Sequence, residues 1–241
     1  MSAESARRRF TEYDREKMVQ RMILDRIRLK LQDIKEYYTE LEDKFARDII
    51  KLSERYEEEI SEKNLTQEMK EEVAAYFGEE QSRFEELFLK NFRYSIIVTI
   101  YSFLETTLND LCHHLYHSKK SLLTLDEVKG TGIERARLYL QKVCLIDFPE
   151  KSHDWQKIQK FNLVRNCIVH AEGNVEEVKS PEKLKKIIKN TRGISLYPSI
   201  QRFLRIENDY IPSIIFCIEK FIDKIHGEAF KKLSPVKPIV Q

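Results

Sequence analysis

The sequence predicts a mainly α protein: a helical bundle preceded by a long N-terminal helical hairpin, with one or two short β-strands near its end. Three observations carry this. Glycine and proline number six each in 241 residues, and almost none interrupts the long segments. In a helix interior these residues cost roughly 1 and 3 kcal/mol, so their scarcity favours long helices. Apolar residues recur at alternating steps of three and four through much of the first 90 residues. They are followed by a segment apolar around most of its circumference, as a helix at the centre of a bundle must be.

The first element runs along the seam Leu24, Ile27, Leu31, Ile34, Tyr38, Leu41 and Phe45. The seam shifts at Phe45, as at a stutter, and continues through Ile49, Leu52, Tyr56 and Ile60. "SEKNLT" breaks the pattern, which Met69, Val73, Phe77, Phe84, Leu87 and Phe88 resume. Residues 12 to 90 therefore read as a helical hairpin, a structural or oligomerising arm, since heptads specify packing and not chemistry. This divides the chain into an arm, 1–90, and a bundle, 91–241.

"FRYSIIVTIYSFLETTLNDLCHHLYH" is the central helix, with Ser95, Ser102, Thr106, Asn109 and His113 on one small-polar stripe and Glu105 at its edge. A short loop and a Thr131–Glu134 capping box introduce the next helix. Pro149 and Ser152 separate it from a helix over about His153 to Ala171, which Gly173 is placed to terminate. Ser180 and Pro181 open a further short helix by the cap-then-proline rule. Residues 194 to 206 are β-branched and aromatic enough for one or two short strands. A strongly apolar helix from about Tyr210 to Lys232 and a proline-containing tail complete the chain.

Net charge is +2 overall but unevenly distributed. Through residue 90 there are 18 Lys and Arg against 23 Asp and Glu; from 91 onward there are 24 against 17. The basic excess thus sits in the bundle, where a polyanion would be met. Cys112, Cys144, Cys167 and Cys217 are scattered through hydrophobic stretches without paired spacing, as reduced core cysteines are. "MSAESARRRF" lacks the apolar core of a secretory signal, and no apolar run is long enough to span a bilayer. A cytoplasmic protein without membrane contact is expected.

The helix containing "LVRNCIVHAEGN", residues 163 to 174, carries the most chemistry. Trp155, Ile158, Phe161, Val164, Ile168 and Val169 cover much of its circumference. Gln159, Asn162, Asn166 and His170 form a narrow stripe at steps of three and four, with Arg165 about 60° from Asn162. Amides with one Arg and one His are unlike a solvated face of Lys and Glu. They suit a partly enclosed polar site or a polar subunit interface. Arginine offers a planar fork of donors to phosphate oxygens, and histidine takes and returns a proton near neutral pH. Phosphodiester chemistry by Arg165 and His170, with Asn166 holding the imidazole or the substrate, stands against a buried structural network.

These residues resemble the signature of the HEPN superfamily, an arginine usually followed by a polar residue and then a histidine four to six residues on. Here that pattern is Arg165, Asn166 and His170. "YSFLETTLNDLC", residues 101 to 112, is similar to the family's earlier core helix, and Trp155, Ile158 and Phe161 fit the approach to the motif. The resemblance covers about residues 90 to 232 and leaves the hairpin outside. It implies an α-helical bundle and a metal-independent endoribonuclease, with no cofactor, whose two motifs face each other in a homodimer or larger assembly. It also implies 2′-hydroxyl attack on the adjacent phosphorus, with His170 as general base or acid, Arg165 stabilising the phosphorane, and Asn166 positioning. Glu105 or Ser102 would assist from the neighbouring helix. Prokaryotic antiviral defence or a toxin–antitoxin system, with a cognate partner, is the setting such members suggest. Some members are inactive dimerisation or RNA-binding modules, which is the alternative; a coiled-coil adaptor using only the arm is a third.

Two other clusters remain. "CHHLYH" gathers Cys112, His113, His114 and His117, but the further ligands zinc needs have no suitable spacing, so a helix-end polar face is expected and no metal. The run holding Lys179, Lys183, Lys185, Lys186, Lys189 and Arg192 is either a solvated face or an RNA-backbone patch. The latter would bind with an affinity that falls with salt.

Overall fold

The computed structural model describes residues 12–61, 64–119, 121–198 and 201–233. The N-terminal stretch, part of the break at "SEKNLT" and the proline-containing tail lie outside the described residues. Helix α1 (Glu12–Ile60) is 49 residues long, and α2 (Gln67–Arg83) follows it. A π-helical segment, Phe84–Leu89, leads directly into α3 (Lys90–Lys119). After a 3₁₀ turn at Leu125–Glu127 come α4 (Gly132–Lys142), α5 (His153–Ala171) and α6 (Pro181–Lys189). Strands β1 (Ile194–Leu196) and β2 (Leu204–Ile206) pair antiparallel, with Ser195 opposite Arg205, before α7 (Tyr210–Leu233). The protein is mainly α-helical.

Two compact units are built from interleaved stretches. One takes the chain through Leu31, Ser102–Lys157 and the chain from Phe216; the other takes Gln32–Tyr101 and Ile158–Ile215. This partition by contact groups the chain differently from the division at residue 90, since α1, α3, α5 and α7 each contribute to both units.

In the first unit an aromatic cluster forms the floor. Phe148 meets Trp155 edge-on at 4.8 Å, and Trp155 stacks on Phe221 at 5.3 Å. Such pairs add to the burial of their large apolar areas. Arg137 bonds to Glu134 and Gln141 within α4 and reaches Glu150 in the following segment. The reciprocal cap expected at Thr131 and Glu134 does not form. Thr131 makes no side-chain cap bond, and Arg137 Nε donates to Glu134 at 2.7 Å. A cap of that kind belongs instead to Thr124, whose N–H and hydroxyl both donate to Glu127, lowering the Glu127 pKa. Competition from a nearby guanidinium is what the spacing alone did not reveal.

In the second unit the seam of α1 finds its partners. Every seam position from Ile34 to Ile60 is buried or half-buried. Tyr56 packs on Phe77 of α2, Phe45 on Phe84, and Tyr38 stacks on Phe92 of α3 at 5.9 Å. Arg93 donates to both carboxylate oxygens of Glu42, at 2.6 and 2.9 Å, and to the Ile206 carbonyl at 2.7 Å. Of the residues expected to resume the seam, Met69, Leu87 and Phe88 are exposed while Val73, Phe77 and Phe84 turn inward. For Leu87 and Phe88 the cause is the π segment, whose wider turn rotates its side chains off the α-helical register.

Candidate functional site

Helix α5 places the motif. Ser152 caps it, accepting the Trp155 N–H at 3.2 Å. Its buried face is Trp155, Ile158, Phe161, Val164, Cys167, Ile168 and Ala171. The polar stripe therefore points away from the core: Asn162, Arg165 and Asn166 are half-buried, and Gln159 and His170 are exposed. None of these side chains is wholly buried, so the full cost of burying a polar side chain does not arise. The stripe is a surface feature of this chain.

The end of α5 is fixed more firmly than a glycine alone would fix it. Glu172 and Gly173 both take positive φ, +49° and +84°, and the Gly173 N–H reaches back to the Cys167 carbonyl at 3.0 Å. Leu204 N–H donates to the Gly173 carbonyl and Val175 N–H to the Arg202 carbonyl, so Asn174 bridges to Phe203 beside the hairpin. A Cβ at Gly173 would land on the Tyr94 hydroxyl, which donates to the Leu204 carbonyl. Only glycine fits there.

Arg165 is held on two sides. Its guanidinium lies over the ring of buried Tyr101, 4.4 Å from the centroid, and its Nη1 donates to Asn166 Oδ1 at 2.9 Å. Among the described residues its Nε is buried without a hydrogen-bond partner, and its guanidinium contacts are Tyr101 and Asn166 rather than a carboxylate. A cation packed on an aromatic face and lacking a counter-ion is suited to an external anion. Tyr101 was not singled out by the sequence, since a tyrosine in an apolar helix reads simply as core.

His170 and Asn166 open onto a cavity of about 550 Å³. Its walls come from α5, the loop after it and the start of α6, with Leu163, Val178 and Leu184 apolar and Glu177, Lys179 and Lys183 charged. Asn166 thus joins two parts: it accepts from Arg165 and lines the same space as His170. Cys167 also lines the cavity, but burial pushes its thiol up to about 11, so it is no thiolate nucleophile near neutral pH. His170 supplies an imidazole to the same cavity.

The basic run divides. Lys183 lines the cavity and Lys186 and Lys189 are exposed. Lys185 lies near Glu176 and Glu182, at 3.9 and 3.7 Å, and Arg192 pairs with Asp209 at 2.7 Å. Ser102, exposed, and Glu105, half-buried, belong to the stretch of α3 in the other compact unit. Around "CHHLYH", Cys112 is buried with its thiol pKa raised by burial. Among the described residues no group of three or more His, Cys, Asp or Glu is placed to hold a metal ion. None of the helices there is long and apolar enough to cross a membrane. Comparison with protein-family models, curated proteins and solved structures returned no match.

Proposed function

We propose that the chain is a metal-independent endoribonuclease of the HEPN type, acting as a homodimer or larger assembly whose cleft is completed by the same residues of a second copy. One observation carries the reading: Arg165, which pairs with no carboxylate among the described residues, is joined through Asn166 to the cavity that exposed His170 and Lys183 line. In the proposed reaction a neutral His170 imidazole takes the proton of a ribose 2′-hydroxyl. The resulting oxygen attacks the adjacent phosphorus, Arg165 offsets the charge of the phosphorane, and an imidazolium returns a proton to the departing 5′-oxygen. The products are a 2′,3′-cyclic phosphate and a 5′-hydroxyl. Lys183, Lys186 and Lys189 serve as contacts to the RNA backbone. A toxin or antiviral effector with a cognate partner is the setting that accompanies this reading.

A second reading, an inactive HEPN module that binds RNA or another copy without cutting, draws on Glu177. Its carboxylate lines the same cavity and would oppose a phosphate there. Purified protein incubated with total RNA in EDTA separates the two, alongside Arg165→Ala and His170→Ala variants. Cleavage that persists in EDTA and falls by roughly 10²-fold or more in each variant is expected. Wild-type protein as inert as the variants, with assembly unchanged, contradicts the nuclease reading.

A further inference from the structure

A second cavity, of about 240 Å³, lies wholly within the other compact unit, between α1, α3 and α7. Its composition is graded. Arg26, Lys30, Thr106 and Asp110 are exposed and form the rim. Ile23, Ile27, Phe103 and His114 are half-buried, and Leu111, Phe230 and His226 are buried. His226 is only 2% exposed, and among the described residues both of its ring nitrogens lack a hydrogen-bond partner. A neutral imidazole has one donor and one acceptor, and leaving both unfilled in a protein interior costs free energy. Structural histidines in cores are normally satisfied, so an orphaned one lining a cavity points to a ligand.

We propose that this cavity binds a small aromatic carboxylate, its carboxylate at Arg26 and Lys30 and a polar substituent at its far end hydrogen-bonded to His226. Three properties select that chemistry. The volume is below the usual range for drug-sized ligands and suits a single ring. The wall is aromatic: His226 and Phe230 stack at 6.3 Å with planes 23° apart, and His114 meets Phe230 at 5.7 Å. Among the described residues the rim carries two cations against one carboxylate, Asp110, a balance that matches a monoanion better than a phosphate dianion. Burial lowers the His226 pKa to about 4, so its imidazole enters binding near neutral pH as the uncharged donor–acceptor group that the far end needs.

Calorimetric titration of the full chain with 4-hydroxybenzoate tests this, with benzoate, benzamide and inorganic phosphate as comparison probes. Saturable one-to-one binding of 4-hydroxybenzoate is expected, weaker binding of benzoate, and none of benzamide or phosphate at the same concentrations. Arg26→Gln, at an exposed position where folding is not at stake, should weaken 4-hydroxybenzoate about tenfold. Asp110→Asn should tighten it several-fold by removing the opposing charge. His226→Phe should reduce 4-hydroxybenzoate to the affinity of benzoate while leaving benzoate unchanged, a pattern that a misfolded variant cannot produce. Absence of saturable binding by 4-hydroxybenzoate overturns the proposal. So does benzamide or phosphate binding as tightly, or indifference of 4-hydroxybenzoate to both rim substitutions.

Discussion

Gly173 and His226 show how much can rest on one side chain. Gly173 ends α5 at φ +84° with the Tyr94 ring against it, so alanine there incurs both left-handed strain and overlap. Gly173→Ala is expected to cost on the order of 2–4 kcal/mol, read by urea denaturation. An effect below about 0.5 kcal/mol would mean that Tyr94 moves aside freely. His226 makes a pH-dependent contribution. Its folded pKa, lowered to about 4 from 6.5 chiefly by burial and next by His114, means that the unfolded chain binds the extra proton first as pH falls. Stability is therefore undiminished above pH 6.5 and declines between 6.5 and 4, by about 3 kcal/mol in all. Arg26 and Lys30 of α1 and Asp110 and His114 of α3 surround the same cavity, and Asp223 of α7 acts in the opposite sense by raising the pKa. Comparing urea midpoints at pH 7 and 5 for wild type and His226→Phe isolates this contribution; the variant should show a shallower fall. Equal slopes would show that His226 is not held neutral.

At the scale of elements, a largely buried ion pair helps to fasten the long hairpin. Arg93 and Glu42, 11% and 16% exposed in their side chains, join α3 to α1, and Arg93 reaches on to the Ile206 carbonyl. Glu42→Gln leaves a guanidinium nearly buried without its counter-charge and is expected to cost roughly 3–5 kcal/mol. Replacing both, as Glu42→Leu with Arg93→Met, should recover much of that loss in the same denaturation experiment. A Glu42→Gln protein as stable as wild type would show that the pair does not hold α1. Much at this scale was legible in the sequence. The α1 seam turned inward as its spacing required, α5 runs from His153 to Ala171, Pro181 opens α6, and two short strands lie within 194–206. These follow from periodicity and from local stereochemistry. What was hidden depends on tertiary neighbours: the π segment that turns Leu87 and Phe88 outward, and the Arg137 guanidinium that takes Glu134 from its cap. In the same way the stripe of α5 could be read from a wheel, but Tyr101 beneath Arg165 could not.

For the whole molecule the central question is whether one chain holds a complete site. Arg165 and His170 lie five residues apart on α5, roughly 140° around the helix, and Asn166 connects the arginine to the cavity that His170 lines. One helix with that separation cannot easily aim both groups at a single phosphate, whereas two copies facing each other offer Arg165 from one and His170 from the other. Mixing Arg165→Ala with His170→Ala protein under conditions that exchange subunits distinguishes these arrangements. Neither parent has both groups anywhere. A mixed dimer has one arginine and one histidine, on different chains. Since each missing group costs roughly 10²–10⁴ in rate, mixed dimers should exceed both parents by at least about tenfold if the cleft is shared. If each chain carries its own site, no mixed dimer contains a complete one, and verified exchange will leave activity at the level of the parents.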